Sequence, residues 1–138
     1  MDEIARSASQ GGRPTTLFVC STCRRDGESA EPKEARSGAR LIQRLQNEAG
    51  ADAELLEIVA VACLSNCTRS CTVAVAAPGK WTYVIGNIDP EAQLTDVLAF
   101  ARLHREHAEG LPVWRERPEY IRKNTIARIP PFPAPQGG

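Results

Sequence analysis

The stretch "TTLFVCSTC" at residues 15–23 decides the fold, because an apolar, β-branched run ends there in two cysteines. Such a run favours a short buried strand. The segment "RRDGESAEPKEARSG" at residues 24–38 follows, and its glycines, proline and charges are typical of a loop. The stretch therefore predicts a strand over 15–19 that delivers Cys20 and Cys23 to a loop at its carboxyl end.

A helix and a second strand are predicted next. The segment "ARLIQRLQNEAG" at residues 39–50 has an apolar residue at each position of one helical face. These residues are Leu41, Ile42, Leu45 and Ala49. We expect Ser37 to be the N-cap and Gly50 to end the helix. The segment "AELLEIVAV" at 53–61 predicts a second strand, and a strand–helix–strand unit implies parallel pairing through a right-handed crossover.

The second half of the chain predicts a hairpin. The runs "TVAVAA" and "WTYVIG" flank the turn sequence "PGK" at residues 78–80, which favours two antiparallel strands. Of the two aromatic residues on the later strand, Trp81 and Tyr83, one is expected to face the core.

A long helix follows the hairpin. In "DPEAQLTDVLAFARLHREHAEG", residues 89–110, we expect Asp89 to cap, Pro90 to take the first helical position and Gly110 to end the helix. One apolar stripe is expected to be buried. Its members are Leu94, Val97, Leu98 and Ala101, with Leu103 near the edge.

The element order is therefore β-α-β-loop-β-β-α, which is the layout of an α/β thioredoxin-like domain with a mixed sheet flanked by two main helices. We expect a flexible N-terminal tail at 1–14, the thioredoxin-like metal-binding domain at 15–110, and a C-terminal extension at 111–138. The extension is predicted to contain a short helix near 117–123 and an extended, disordered Pro-rich tail.

Composition excludes several classes of protein. Seventeen basic and seventeen acidic residues balance, which argues against a nucleic-acid or membrane-surface binder. The N-terminus lacks the apolar core of a secretory signal, and the longest apolar stretch is too short to span a bilayer. We therefore expect a cytoplasmic protein, where thiols stay reduced. In that setting, five cysteines indicate metal ligands or catalytic thiols rather than disulfides.

Three of those cysteines fall within "VACLSNCTRSC" at residues 61–71. The carboxyl ends of parallel strands meet at one edge of a sheet, so Cys20 and Cys23 should meet Cys63 and Cys67. Four thiolates suit either a zinc ion or a two-iron–two-sulfur cluster, and the spacing leaves the metal open.

At these residues the chain resembles known proteins. "FVCSTC", "ACLSNC" and the following "TVAVAAPGKWTYVIG" look like the thioredoxin-like two-iron–two-sulfur (2Fe-2S) ferredoxins. The run "CLSNCTRSCTVAVAAPGKWTYVIGNIDP", with "LPVWRERPE" further on, is similar to an uncharacterised family of small bacterial predicted metal-binding proteins, over residues 15–131. The resemblance implies the ligands Cys20, Cys23, Cys63 and Cys67. Cys71 is an extra thiol, which either replaces Cys23 or is buried at the start of the third strand.

The resemblance implies a 2Fe-2S ferredoxin that carries single electrons to an unknown redox partner protein, without nucleic acid or membrane, and with a homodimer left open. The alternative is a zinc-binding or metal-carrier module linked to a cofactor pathway such as that of cobalamin. A thiol–disulfide oxidoreductase is a third reading of "CSTC". It is disfavoured because such motifs open a helix and residues 24–32 are a poor helix start. No other catalytic set is present, so we do not expect an enzyme.

Other polar residues have two possible roles, one at the metal and one purely structural. His104 and His107 are expected on a solvated helix face beside charged neighbours, rather than at a metal. Three arginines flank the cysteines and could offset cluster charge or dock an acidic partner: Arg24, Arg25 and Arg69. Four polar residues between the ligands are donors to sulfur or simple turn formers: Ser65, Asn66, Thr68 and Ser70.

Overall fold

The computed structural model describes residues 14–49 and 56–132. The strands are β1 (Thr15–Cys20), β2 (Leu56–Val61), β3 (Val73–Ala76), β4 (Thr82–Ile85) and β5 (Thr125–Ile129). The helices are α1 (Ser37–Glu48), α2 (Leu94–Glu106) and α3 (Glu119–Asn124). Short 3-10 turns occupy Lys33–Ala35, Cys67–Arg69 and Trp114–Glu116.

The five strands form one mixed sheet in the order β2-β1-β3-β4-β5. β1 pairs in parallel with β2, from Thr15 opposite Leu56 to Cys20 opposite Val61. β1 also pairs antiparallel with β3, and β3 with β4, as the predicted hairpin requires. The predicted α/β thioredoxin-like fold is confirmed. Because β1 and β2 run the same way and stay in register, they end at the same edge of the sheet.

β5 was not predicted. Its sequence, "TIARI", has the β-branched residues of a strand, but the prolines that follow favoured an extended tail. It pairs antiparallel with β4 inside the segment predicted as a C-terminal extension, directly after α3, which is the short helix expected near 117–123. Several predicted features lie outside the described residues. They are residues 1–13 of the N-terminal tail, Gly50, residues 53–55 of the second strand, and residues 133–138 of the Pro-rich tail.

The core lies between the sheet and its helices. Leu17 and Val19 of β1 are fully buried, as are Leu41 and Leu45 of α1. Tyr83 is the β4 aromatic that faces the core, and its ring meets Phe100 edge-on at 5.0 Å between centroids. Of the predicted stripe on α2, three residues are buried and two are partly buried. The buried ones are Val97, Leu98 and Ala101.

Neither of the two long helices has the N-cap that the sequence predicts. Ser37 is the first residue of α1 rather than its N-cap, and its hydroxyl donates to the Glu28 carboxylate. α2 begins at Leu94, not at Pro90. Asp89 instead accepts hydrogen bonds from the backbone N–H groups of residues 91 and 92, at 2.8 and 3.0 Å, and so holds a turn before the helix. α2 also ends at Glu106, before the predicted stop.

His104 is fully buried, so its predicted position on a solvated face is wrong. Its Nδ1 lies 3.2 Å from the Thr15 hydroxyl and its Nε2 lies 2.7 Å from the Trp81 carbonyl oxygen. A carbonyl only accepts, so Nε2 carries the proton and Nδ1 accepts from the hydroxyl. Burial lowers the pKa of His104 to about 4. The imidazole is therefore neutral, and it links α2 to β1 and to Trp81, the residue before β4.

Lys80, in the hairpin turn, reaches the end of α2. Its side chain is buried, and its ammonium donates to the carbonyl oxygens of His104 and Arg105 at 3.1 and 2.6 Å. These are among the last carbonyls of the helix, which have no partner within it and carry the negative end of its dipole. In residues 14–49 and 56–132, no helix is long and apolar enough to cross a membrane.

Candidate metal centre

The loops after β1 and β2 leave the sheet side by side. The Ser21 N–H donates to the Val61 carbonyl oxygen at 2.8 Å, which extends the parallel ladder past the end of both strands. The Thr22 hydroxyl donates to the Ala62 carbonyl oxygen at 2.7 Å. Cys63 is the next residue along the chain. The first cysteine pair and the start of the second cysteine loop therefore occupy neighbouring positions at one edge.

Three of the five thiols form an inner group. Cys20, Cys23 and Cys71 are 2%, 5% and 0% exposed, and the Cys23 thiol contacts both of the others. The hydrogen bond with Cys71 lowers the pKa of Cys23 to about 5 and raises the pKa of Cys71. Burial raises the pKa of Cys20. These shifts favour a thiolate at Cys23 that the neighbouring, protonated Cys71 thiol stabilises.

The other two thiols form an outer pair. Cys63 and Cys67 are exposed. The Ser65 backbone N–H donates to the Cys63 sulfur at 3.1 Å, which is the kind of contact that stabilises a thiolate. Cys67 begins the 3-10 turn after β2 and lines an open pocket of about 430 Å³ together with Cys23. The two loops thus share one pocket.

Two other residues predicted as sulfur donors or turn formers make hydrogen bonds within the loop. Asn66 donates from its side-chain amide to the Thr72 hydroxyl at 3.0 Å. Ser70 donates from its hydroxyl to the Cys67 carbonyl oxygen, also at 3.0 Å. Both fix the loop between the ligand candidates, and the Ser70 side chain in addition helps to lower the pKa of Cys23.

The five cysteines do not close around one point. Among the residues that the structure describes, no three Cys, His, Asp or Glu side chains are arranged to hold a single metal ion. One thiol of the inner group and one of the outer pair, Cys23 and Cys67, line the same pocket. The assignment of Cys23, rather than Cys71, as the fourth ligand stays a prediction.

Charged side chains organise the loop that carries Cys23. Arg25 donates to the Ser70 carbonyl oxygen at 3.1 Å and so joins this loop to the residue before Cys71. Glu28, which the sequence did not single out, accepts from the backbone N–H groups of Arg25 and Ser37 at 3.1 and 3.0 Å. Burial opposes its ionisation, but these hydrogen bonds and that from the Ser37 hydroxyl lower its pKa. No pattern in the sequence marks a single glutamate in a polar loop.

Gly38 allows α1 to pack directly on the cysteine loop. Its N–H donates to the Cys23 carbonyl oxygen at 3.1 Å. A Cβ at this position would lie 2.2 Å from the Cys20 carbonyl oxygen and 3.1 Å from the Cys23 nitrogen. Both neighbours are backbone atoms, which cannot rotate away, so any side chain would separate the helix from the loop.

We expect Gly38→Ala to destabilise the protein by about 2 kcal/mol, because overpacking against fixed backbone outweighs the helix propensity that alanine gains. The measurement is urea unfolding monitored by circular dichroism. Gln43→Ala, on the exposed face of the same helix, is the matched control and should stay near wild type. A Gly38→Ala protein more stable than wild type would show that the helix and loop do not pack this closely.

Similar proteins agree with the fold. A thioredoxin-like [2Fe-2S] ferredoxin from Aquifex aeolicus superimposes with a TM-score of 0.53 at 17% identity, covering 87% of this chain and 97% of that one. A cysteine-to-serine variant of the Aquifex aeolicus ferredoxin gives a TM-score of 0.50 at 16% identity, covering 82% and 98%. At such identities the likeness establishes the fold alone.

No functionally curated protein matches the chain. One family model does, over residues 17–131, and its description is "protein of unknown function" (DUF1636). This match covers nearly all of the part that the structure describes, including both cysteine loops, α3 and β5. The chain belongs to the DUF1636 family.

Proposed function

We propose that this protein is an electron carrier that holds a 2Fe-2S cluster with Cys20, Cys23, Cys63 and Cys67 and passes single electrons to a partner protein. The observation that supports it most is the joint exit of β1 and β2, tied by the Ser21 and Thr22 hydrogen bonds. It brings two cysteine pairs from distant parts of the sequence to one edge of the sheet. The similar ferredoxins have the same fold.

The chemistry of the thiols fits a two-iron cluster better than a single ion. A structural zinc held by cysteines alone needs four sulfur atoms at about 2.3 Å from one point. In the described ranges no three ligand side chains close in this way. A 2Fe-2S cluster takes two thiolates at each iron, so an inner pair and an outer pair can each serve one metal. When bound, such a cluster supplies reversible one-electron transfer.

The protein's own residues set the surroundings of that chemistry. Cys20 and Cys23 are buried, so water is kept from their side of the site. The Cys71 thiol donates to Cys23 and the Ser65 N–H donates to Cys63. Hydrogen bonds to ligand sulfur withdraw negative charge and favour the reduced state, which raises the reduction potential.

We also propose a reducing compartment such as the cytoplasm, since all five thiols are free.

A thiol–disulfide oxidoreductase is not supported. Oxidoreductases of this fold place the first thiol of their Cys-x-x-Cys motif at a helix N-terminus, which lowers its pKa. In this chain the motif is followed by loop residues 24–32, and α1 begins only at Ser37. We expect the protein not to reduce insulin in the presence of a thioredoxin-reducing system.

The direct test is metal and sulfide analysis of protein purified without air. We expect about two iron atoms and two acid-labile sulfides per chain, a red-brown colour, and a paramagnetic signal after one-electron reduction. Cys63→Ser should lose the colour, whereas Ser29→Ala, in the loop after Cys23, should keep it. One zinc per chain with no sulfide would overturn the proposal and favour the zinc-binding or metal-carrier alternative.

A further inference from the structure

A second pocket lies beside β4 and β5, and no cysteine lines it. It has a volume of about 450 Å³, within the usual range for small-molecule sites. We call it the arginine pocket. Its lining residues come from β4, from the segment 114–122 and from β5. Three of them are the arginines Arg117, Arg122 and Arg128.

The arginine pocket concentrates positive charge, and the Glu119 carboxylate that interacts with Arg122 is exposed and paired with Lys123. No carboxylate is among its described lining residues. Within residues 14–49 and 56–132, the ion pairs found do not include any of its three arginines. Three guanidinium groups facing one small space repel each other unless an anion lies between them. The charge pattern therefore indicates an anionic ligand.

The guanidinium groups are held in place by aromatic rings. Arg122 and Arg117 lie 5.3 and 5.7 Å from the centroid of the Trp114 ring, and Arg117 lies 5.4 Å from that of Tyr83. Arg117 also donates from Nε to the Pro112 carbonyl oxygen at 2.8 Å. Stacking uses the face of a guanidinium and leaves N–H groups at its edge for an anion. These donors are therefore preorganised.

Tyr83 gives an independent indication of a ligand. The residue is 0% exposed, and within the described residues its hydroxyl is buried without a hydrogen-bond partner. A buried hydroxyl without a partner is unfavourable by about 1–3 kcal/mol, and such groups are rare. Tyr83 also lines the arginine pocket, so an anion there could accept its hydrogen bond.

The pocket also has an apolar wall. Trp114 is 62% exposed, which is unusual for so large a ring, and Ile126 and Ala127 of β5 line the same space. An inorganic ion would leave this wall in water. A ligand with both an anionic and an apolar part would use all of the lining.

We propose that the arginine pocket binds a small organic phosphate. The phosphate oxygens accept from Arg117, Arg122 and the Tyr83 hydroxyl, and the apolar part of the ligand covers Trp114. A phosphate monoester is favoured over a carboxylate because its near-dianionic charge and three oxygens better match several guanidinium groups. The site is separate from the cysteine loops and does not depend on the cofactor proposed for them.

Phenyl phosphate is the probe, titrated into the full-length protein by calorimetry and tryptophan fluorescence. We expect one site, with Arg122→Gln weakening binding about tenfold, the scale of one lost charge-assisted hydrogen bond. Arg115→Gln is the matched control, since Arg115 is exposed in the same segment but does not line the pocket. Should Arg122→Gln unfold, Arg128→Gln is the second variant: it removes another positive charge that lines the pocket, from an exposed position on β5, and should also weaken binding.

Each arm of the titration has a decisive outcome. Equal affinity for benzoate would overturn the phosphate assignment, and equal affinity for inorganic phosphate would overturn the role of the apolar wall. No binding of phenyl phosphate, or equal weakening by Arg115→Gln, would overturn the site itself. Cys63→Ser should bind phenyl phosphate like wild type, so this result is independent of the cluster.

Discussion

The Cys71→Ser protein, purified without air, should keep its full iron and sulfide content, whereas the Cys23→Ser protein should lose both. The reason is that Cys71 lies in the core, whereas Cys23 lines the pocket between the two cysteine loops. Cys71 is fully buried, and its backbone exchanges two hydrogen bonds with Ile88, at 3.1 and 3.0 Å, which hold it inside the core. Cys23 instead lines the pocket that Cys67 also lines. Iron and acid-labile sulfide per chain are the measurements.

A potential measurement separates the two roles of the inner thiols further. If Cys71 only donates to the Cys23 sulfur, Cys71→Ala should retain the cluster but lower its midpoint potential, because one hydrogen bond to a ligand is removed. The reverse pattern, with Cys71→Ser losing the cluster and Cys23→Ser keeping it, would make Cys71 the fourth ligand.

His104 should make the protein lose stability in mild acid. Its pKa is about 4 in the folded chain against an ordinary value of 6.5, so the unfolded chain binds the proton more readily. Burial is the main cause, and positive charge from Lys80 and His107 adds to it. Stability from this residue is complete above pH 6.5 and falls as the pH drops to about 4. The loss is about 3 kcal/mol over that range.

The measurement is urea unfolding at several pH values between 7 and 4, compared with His104→Gln. This variant cannot gain a proton there, so its stability should fall by about 3 kcal/mol less than that of wild type over the same range. Comparing the two proteins cancels any acid loss of a cofactor. His107→Gln, which changes the partly exposed histidine of the pair, should reduce the wild-type slope only slightly, because burial is the main cause of the shift. Identical slopes for wild type and His104→Gln would contradict the buried, neutral state.

The architecture could be predicted wherever local patterns and connection rules agreed. Parallel pairing of β1 and β2 followed from a strand–helix–strand unit, and the hairpin followed from the turn at residues 78–80. β5 could not be separated from a tail, because its pairing with β4 depends on contacts distant in sequence. His104 was misplaced because its neighbours in sequence are charged. Its burial comes from Thr15 and Trp81, which only the fold brings to it.

The sequence predicts which loops form the candidate site, but not which side chains touch within it. Strand direction places the loops of Cys20 and Cys63 together, and the structure shows this. The contact of Cys23 with Cys71 depends on how the chain re-enters β3, and no spacing encodes that. The arginine pocket was missed for the same reason. Arg117 precedes α3, Arg122 lies within it and Arg128 lies in β5, and only the fold brings all three to one pocket.

The Lys80 contact has a consequence for how the molecule opens. The hairpin turn and the last turn of α2 are joined by the ammonium bonds to His104 and Arg105, by the Trp81–His104 bond, and by a Trp81 N–H donating to the Glu109 carbonyl oxygen at 3.0 Å. Neither end can fray without releasing the other. We therefore expect their amides to exchange with solvent as one cooperative unit, at the end of the sheet opposite the cysteines.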